Sequence, residues 1–119
     1  MKQKKELPIL PGATIGILGS GQLGRMHAIA ASRLGYYVNV YSPEINSPAG
    51  QVAQTETIGN YNDISNIVSF ADSVDVLTFE FENISSAALK EAMKHTLVHP
   101  SAKVLEINLS ISISQSRNI

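Results

Sequence analysis

The sequence predicts an α/β fold with a doubly wound parallel sheet of about five strands and helices on both faces. Two observations lead to this prediction. Short aliphatic runs alternate along the chain with segments whose apolar residues recur at helical spacing. The first aliphatic run leads directly into a glycine-rich turn, residues 19–26 (GSGQLGRM), of the kind that connects a strand to a helix. Such alternation forms right-handed βαβ crossovers, so the fold is expected to be Rossmann-like.

Five runs of apolar and β-branched residues predict the strands: residues 14–18, 37–41, 55–58, 76–79 and 97–99. The first run carries no charge, as expected of a strand that is covered on both faces. Pro43 and Pro100 are expected to stop the second and the fifth strand, because proline cannot donate a hydrogen bond to a continuing ladder.

Three segments predict helices. In the first, apolar residues recur from Leu23 to Leu34, and Gly35 follows as a C-terminal cap would. Asn62 or Asp63 is expected to cap the second helix. The third is expected to open at residues 85–86 (SS) and to continue through residue 93. Residues 43–53 are a polar, proline-punctuated connection with room for one short helical turn.

The composition excludes several classes of function. With 119 residues the chain has the size of one domain, expected at residues 13–103 between an extended or disordered tail, 1–12, and a C-terminal segment, 104–119. Nine Lys and Arg face ten Asp and Glu, which argues against nucleic acid or an anionic membrane as a partner. The chain has no cysteine and no apolar run of about 18 residues. A cytoplasmic protein is therefore expected.

The glycine-rich turn is the strongest candidate for a ligand site. Gly19 and Gly21 could simply form a tight corner, but a helix N-terminus after a strand also presents backbone N–H groups to an anionic ligand, and we favour this interpretation. Gln22 can offer its amide to the ligand, whereas Arg25 is either a solvated charge or a phosphate contact. A dinucleotide site would need an acidic residue about 20 positions further on, and Glu44 is near that position. It follows a proline instead of ending the strand, which weakens this alternative.

A second candidate follows the fourth strand, at residues 78–83 (TFEFEN). The period of two places Glu80 and Glu82 on one side and Phe79 and Phe81 on the other. The two carboxylates either face water or accept hydrogen bonds from a ligand's amine or hydroxyl groups. Spacing alone leaves both interpretations open.

The histidines do not predict a metal site, because they lack the spacing of metal ligands. We interpret His27 as packed on the first helix, His95 as a charge at a helix end and His99 as a strand terminus. The serines lie scattered in turns and caps, so no pair of nucleophile and base is predicted and no catalytic residue is assigned.

Three motifs, in this order, resemble the N-terminal region of the 5-(carboxyamino)imidazole ribonucleotide synthetase family: residues 19–26 (GSGQLGRM), 47–53 (SPAGQVA) and 78–84 (TFEFENI). These ATP-grasp enzymes of purine biosynthesis are also called the ATPase subunit of phosphoribosylaminoimidazole carboxylase. The likeness extends from about residue 13 to residue 103, and the ordered set is far more specific than any one motif.

The resemblance implies a reaction in which ATP, with magnesium, activates bicarbonate, and the amine of aminoimidazole ribonucleotide is then carboxylated. In such enzymes the first domain supplies part of the ribonucleotide site. By this likeness Gly21, Gln22 and Leu23 would line the nucleotide. Glu80 or Glu82 would hold its amine or ribose. A homodimer, as in full-length members, is left open.

The C-terminal residues depart from the family pattern. Residues 115–117 (QSR) resemble the family's Gln-Asp-Arg, whose arginine helps to bind ATP, so the resemblance gives Arg117 that role; Ser116 replaces the aspartate. The preceding stretch is longer than expected and alternates Ser and Ile at residues 110–114. Because the chain stops at Ile119, before the ATP-grasp portions, we expect it to be inactive alone. Two alternatives are an NAD- or FAD-binding module and an interaction domain that pairs through the Ser-Ile strand.

Overall fold

The structure, a computed structural model, describes residues 9–79 and 86–100 of the 119-residue chain. The elements follow one another as β1 (Thr14–Leu18), α1 (Gln22–Arg33), β2 (Tyr37–Ser42), β3 (Thr55–Ile58), α2 (Ile64–Asp72), β4 (Val76–Phe79), α3 (Ser86–Met93) and β5 (Leu97–Pro100). The described strands form one parallel sheet in the order β3-β2-β1-β4-β5. This is the predicted doubly wound, Rossmann-like fold.

The sheet separates two apolar cores, because successive side chains of a strand point to opposite faces. On one face α1 covers β1, β2 and β4 through the cluster Ile15, Ile17, Ala28, Ala31, Val38, Val40 and Val76. On the other face α2 and α3 cover the same strands through Leu18, Tyr41, Ile67, Phe70, Ala71, Leu77, Ala88 and Ala92. Strand β1 lies at the centre of the sheet and contributes to both cores.

The helix ends are formed as the sequence predicts. Asp63 caps α2 by accepting a hydrogen bond from the Asn66 N–H at 3.0 Å. Helix α1 ends in a Schellman motif, in which Gly35 has a φ of +91° and donates to the Ser32 carbonyl, while Tyr36 donates to the Ala31 carbonyl. Glycine adopts this left-handed conformation without the steric cost that a Cβ would add.

Two strand ends differ slightly from the prediction. Strand β2 continues through Ser42, and β5 includes Pro100, which was expected to stop it. Pro100 is the last residue of β5 and pairs with Phe79, and proline is tolerated there because β5 is an edge strand of the described sheet.

Residues 9–12 pack on the domain, although they fall in the predicted N-terminal tail. Ile9 is buried in the core below α1, and its carbonyl accepts a hydrogen bond from the Tyr36 hydroxyl. The Gly12 N–H donates to the Gly35 carbonyl at 2.9 Å. This segment therefore covers the part of the core that lies near the C-terminal end of α1.

The connection from β2 to β3 covers the sheet where a helix would otherwise lie. Its residues 48–52 form consecutive turns, the predicted short helical turn, and Ala49 is fully buried against the core under α1. Val52 and Ala53 pack at the margin of the same core. The connection is thus part of the fold and not a free surface loop.

Gly16 allows the sheet and α2 to approach closely. A Cβ at this position would lie 2.9 Å from both methyl groups of Val74 and 3.0 Å from a ring carbon of Phe70. Both neighbours are buried, so neither has space to move aside.

We therefore predict that Gly16→Ala lowers the free energy of unfolding by about 1–3 kcal/mol through overpacking. Urea denaturation monitored by circular dichroism measures this loss. Gly21→Ala is the matched control, because a Cβ there meets no neighbouring atom within 4 Å in the part of the chain that the structure describes. The packing explanation is wrong if the two variants lose the same stability.

Candidate functional site

The glycine-rich turn lies at the carboxyl end of the central strand. Gly19 has a φ of +128°, and its N–H donates to the Tyr41 carbonyl at the end of β2 at 2.9 Å. Strand β1 lies between β2 and β4, and the chain passes from β1 to β2 on one side and later to β4 on the other. A sheet of this type binds ligands where the strand order reverses, which is here the edge beside β1 and β4.

Helix α1 begins at this turn with an open N-terminus. Gly21 is the N-cap in an extended conformation, no side chain of residues 9–79 or 86–100 caps the helix, and the first turn contains no acidic residue. The Gly21 carbonyl accepts the Arg25 N–H at 2.9 Å, whereas the N–H groups of the first three helical residues have no intrahelical acceptor. These donors and the positive end of the helix dipole favour an anionic or oxygen-rich ligand.

Three of the predicted site residues meet at this N-terminus. Gly21, Gln22 and Leu23 are all exposed, and Leu23 retains 65% of its accessible surface. The other three predicted residues, Glu80, Glu82 and Arg117, lie outside the described residues.

The turn formed by residues 46–51, here called the crossover turn, packs against the glycine-rich turn. The Ala49 N–H donates to the Ser20 carbonyl at 2.9 Å. Arg25 holds the crossover turn from the side of α1, because its Nη1 donates to the Pro48 carbonyl at 3.0 Å and to Gln51 Oε1 at 3.1 Å. Arg25 therefore makes its hydrogen bonds within the domain, whereas the sequence predicted either a solvated charge or a phosphate contact.

Glu56 holds the crossover turn from the side of β3. Its carboxylate accepts the Asn46 N–H at 3.0 Å, the Ser47 N–H at 3.2 Å and the Ser47 hydroxyl at 3.1 Å. Ser47 Oγ in turn accepts the Gly50 N–H at 3.1 Å. The hydrogen bond from Asn46, with those from Ser47, holds the pKa of the Glu56 carboxyl below its usual value. These bonds therefore stabilise the fold above the ordinary pKa of a glutamate, and the contribution is lost as the pH falls through the lowered value.

Two buried serines join the carboxyl ends of β1 and β2. The Ser20 hydroxyl donates to Ser42 Oγ at 2.8 Å. Ser42 Oγ also accepts the Glu44 N–H at 3.2 Å, whereas Glu44 itself is exposed beyond the strand end. Ser20, Ser42 and Glu56 are not among the site residues that the sequence predicts. The sequence signals for them are weak: Ser20 lies within the motif at residues 19–26, whereas Ser42 and Glu56 flank the motif at residues 47–53.

Two polar side chains are buried without a hydrogen-bond partner among the described residues: the His27 ring on α1 and the Thr78 hydroxyl on β4. His27 is 2% exposed, in agreement with the predicted packing on the first helix, and burial lowers its pKa from 6.5 to about 4. His95, the predicted helix-end charge, follows α3 with Nδ1 3.9 Å from Asp72 Oδ1. The His99 side chain lies outside the described residues.

Within residues 9–79 and 86–100, no group of three or more His, Asp or Glu side chains could hold a metal ion. The same part of the chain contains no helix with the length and apolar character needed to span a bilayer.

Comparisons with known proteins connect this chain to a family. Residues 12–109 match the ribonucleotide synthetase preATP-grasp domain. A bifunctional purine synthesis protein purC/E from Dictyostelium discoideum is 48% identical over 99 residues, which cover 83% of this chain and 10% of that protein. The N5-carboxyaminoimidazole ribonucleotide synthase of Bacillus subtilis is 44% identical over 99 residues, 83% of this chain and 26% of the enzyme.

Solved structures give the same relationship. The crystal structure of an ADP complex of N5-carboxyaminoimidazole ribonucleotide synthetase superposes with a TM-score of 0.73 at 49% identity, over 76% of this chain and 24% of that one. The Staphylococcus aureus enzyme complexed with ADP superposes with a TM-score of 0.73 at 39% identity, with the same coverage. The chain thus spans about a quarter of the length of these enzymes.

The buried His27 predicts a specific acid sensitivity. Its pKa is lower in the folded chain than in the unfolded chain, so the unfolded chain binds more protons between pH 6.5 and 4 and the stability falls as the pH is lowered through this range. The lost free energy reaches about 3 kcal/mol at pH 4. His27→Leu should remove this loss and raise the stability at pH 7 by about 1 kcal/mol, because no buried nitrogen remains without a partner.

Thermal unfolding of the wild type and the variant at several pH values between 7 and 4 tests this prediction. His95→Gln is the control, because His95 is 30% exposed, and this variant should keep the acid sensitivity. An unchanged pH dependence in His27→Leu would contradict the assignment.

Proposed function

The chain belongs to the ribonucleotide synthetase preATP-grasp domain family, and we propose that it is the substrate-side domain of a 5-(carboxyamino)imidazole ribonucleotide synthetase of purine biosynthesis. The observation that carries this proposal is the open N-terminus of α1 at the strand-order reversal, formed by a motif shared with that family. In the proposed reaction ATP activates bicarbonate and the amine of aminoimidazole ribonucleotide is carboxylated.

In this proposal the domain binds and orients the ribonucleotide. The exposed backbone N–H groups at Gly21, Gln22 and Leu23 offer donors to its oxygen atoms, and the Gln22 amide adds a side-chain donor and acceptor. Glu80 or Glu82 is proposed to accept hydrogen bonds from the amine or the ribose. This role is supported by the pairing of Phe79 with Leu18, since the chain leaves β4 next to the glycine-rich turn.

The remaining functions are proposed to need parts of the enzyme other than residues 13–103. ATP and magnesium act in the full-length enzyme, with Arg117 in the C-terminal segment 104–119 contributing to ATP binding. Alone, the chain is proposed to bind ligand weakly and to catalyse nothing. Homodimerisation and a cytoplasmic location are proposed from the biosynthetic enzymes that the chain resembles.

A dinucleotide-binding module is the second candidate function. The glycine spacing and the exposed Glu44 beyond β2 favour it. NADH fluorescence in the presence of the chain distinguishes the two candidates, because a ribonucleotide site gives no enhancement with NADH. The third candidate, pairing through residues 110–114, falls outside the described residues.

We predict that aminoimidazole ribonucleotide binds to the isolated chain and that Gln22→Ala weakens this binding about tenfold, the loss expected for one side-chain hydrogen bond. Isothermal titration calorimetry with the ribonucleotide and, separately, with ATP measures both affinities. Asn62→Ala removes an exposed amide before α2 and should leave the ribonucleotide affinity unchanged.

Two results would contradict the proposed function. If neither ligand binds, the domain is a scaffold and not part of the ribonucleotide site. If the isolated chain turns over its substrates, the proposed requirement for the remaining domains is wrong.

A further inference from the structure

We infer that Arg25 and Glu56 are positioning residues, which act through the crossover turn to aim the Gly21 N–H into the ligand site. The inference rests on the proposed function for the identity of the ligand. The arrangement of the turn itself rests on the hydrogen bonds among the described residues.

The key contact is the hydrogen bond from the Ala49 N–H to the Ser20 carbonyl at 2.9 Å. The Ser20 carbonyl and the Gly21 N–H belong to one planar peptide group, and a trans peptide directs its C=O and N–H to opposite sides. A donor fixed on the carbonyl side therefore sets the direction of the Gly21 N–H. Gly21 carries no Cβ, and no neighbouring atom of the described residues lies within 4 Å of the position that a Cβ would take, so steric contact there does not restrain this peptide.

Ala49 can hold this peptide only if the crossover turn is itself held in place. Two charged side chains from different elements do so. Arg25 of α1 donates to the carbonyl of Pro48, the residue directly before Ala49. Glu56 of β3 accepts three hydrogen bonds from Asn46 and Ser47, directly before Pro48. The turn is thus fastened on both sides by ionic groups, whose hydrogen bonds are stronger than neutral ones.

The position of Arg25 fits this role better than direct ligand binding. Its Nη1 donates to two acceptors of the crossover turn, the Pro48 carbonyl and Gln51 Oε1. Gln51 Nε2 then donates to the Asn46 carbonyl at 3.2 Å, next to the backbone group that Glu56 binds. The two charges therefore act on one continuous network, and loss of either should loosen the same peptide.

The test compares Arg25→Ala and Glu56→Gln with the wild type in the full 119-residue chain. Two-dimensional ¹⁵N NMR reports the Gly21 amide resonance, and amide hydrogen exchange reports the Ala49 N–H. Each variant should move the Gly21 resonance and speed amide exchange at Ala49 about tenfold. The amides of Ile17 in β1 and Val40 in β2 should keep their exchange rates. Arg33→Ala, an exposed arginine at the end of the same helix, is the matched control and should change neither reporter.

Ligand affinity provides the functional readout. Arg25→Ala should weaken binding of aminoimidazole ribonucleotide about tenfold, and Arg25→Lys should recover part of this loss, because an ammonium group can still donate to the Pro48 carbonyl. If Arg25→Ala does not fold, Glu56→Gln decides the test, because it leaves α1 unchanged.

Ribonucleotide binding tests the proposed function, whereas the Gly21 and Ala49 amides test the positioning role of Arg25 and Glu56. Absence of ribonucleotide binding by the wild type overturns the proposed function, while the Gly21 and Ala49 amides still report whether the crossover turn positions the peptide. Folded variants that leave the Gly21 resonance in place overturn the inference, even if they bind the ribonucleotide weakly.

Discussion

All five described strands run in one direction, and this constraint determines where the domain can meet a ligand. In a parallel sheet the carboxyl ends of the strands share one edge, and ligands bind beside this edge where the strand order reverses. Strand β1 occupies the centre, and its connection is the glycine-rich turn. The backbone donors of α1 are therefore fixed at the strand-order reversal by topology, before any side chain contributes.

The two-sided burial of β1 explains why its residues are so strongly restricted. Ile15 and Ile17 pack under α1, whereas Leu18 packs against the opposite core. Gly16 lies between them and faces α2, where Val74 and Phe70 occupy the volume of a side chain. The sheet and α2 are thus closely packed at β1, just before the turn that carries the candidate site.

The crossover turn covers the sheet between β2 and β3, where a helix would otherwise lie. A buried alanine, Ala49, supplies the apolar contact with the sheet, and hydrogen bonds to Arg25 and Glu56 supply the rigidity. A regular helix satisfies most of its own backbone groups, whereas this turn combines a few internal backbone hydrogen bonds with hydrogen bonds to side chains from two neighbouring elements. This arrangement brings β3, α1 and the glycine-rich turn into one hydrogen-bonded unit at the edge of the sheet.

The sequence by itself determined the fold class, the positions of the strands and helices, the glycine-rich turn and the family. Periodicity, helix caps such as Asp63 and glycine spacing are local properties, so they can be recognised without knowing what lies nearby in space. The tertiary structure alone decided the role of Arg25, whose acceptors on Pro48 and Gln51 lie 23 and 26 residues away, and the importance of Glu56. These contacts join residues that are distant along the chain, and they form only because the path from β2 to β3 brings the crossover turn beside α1.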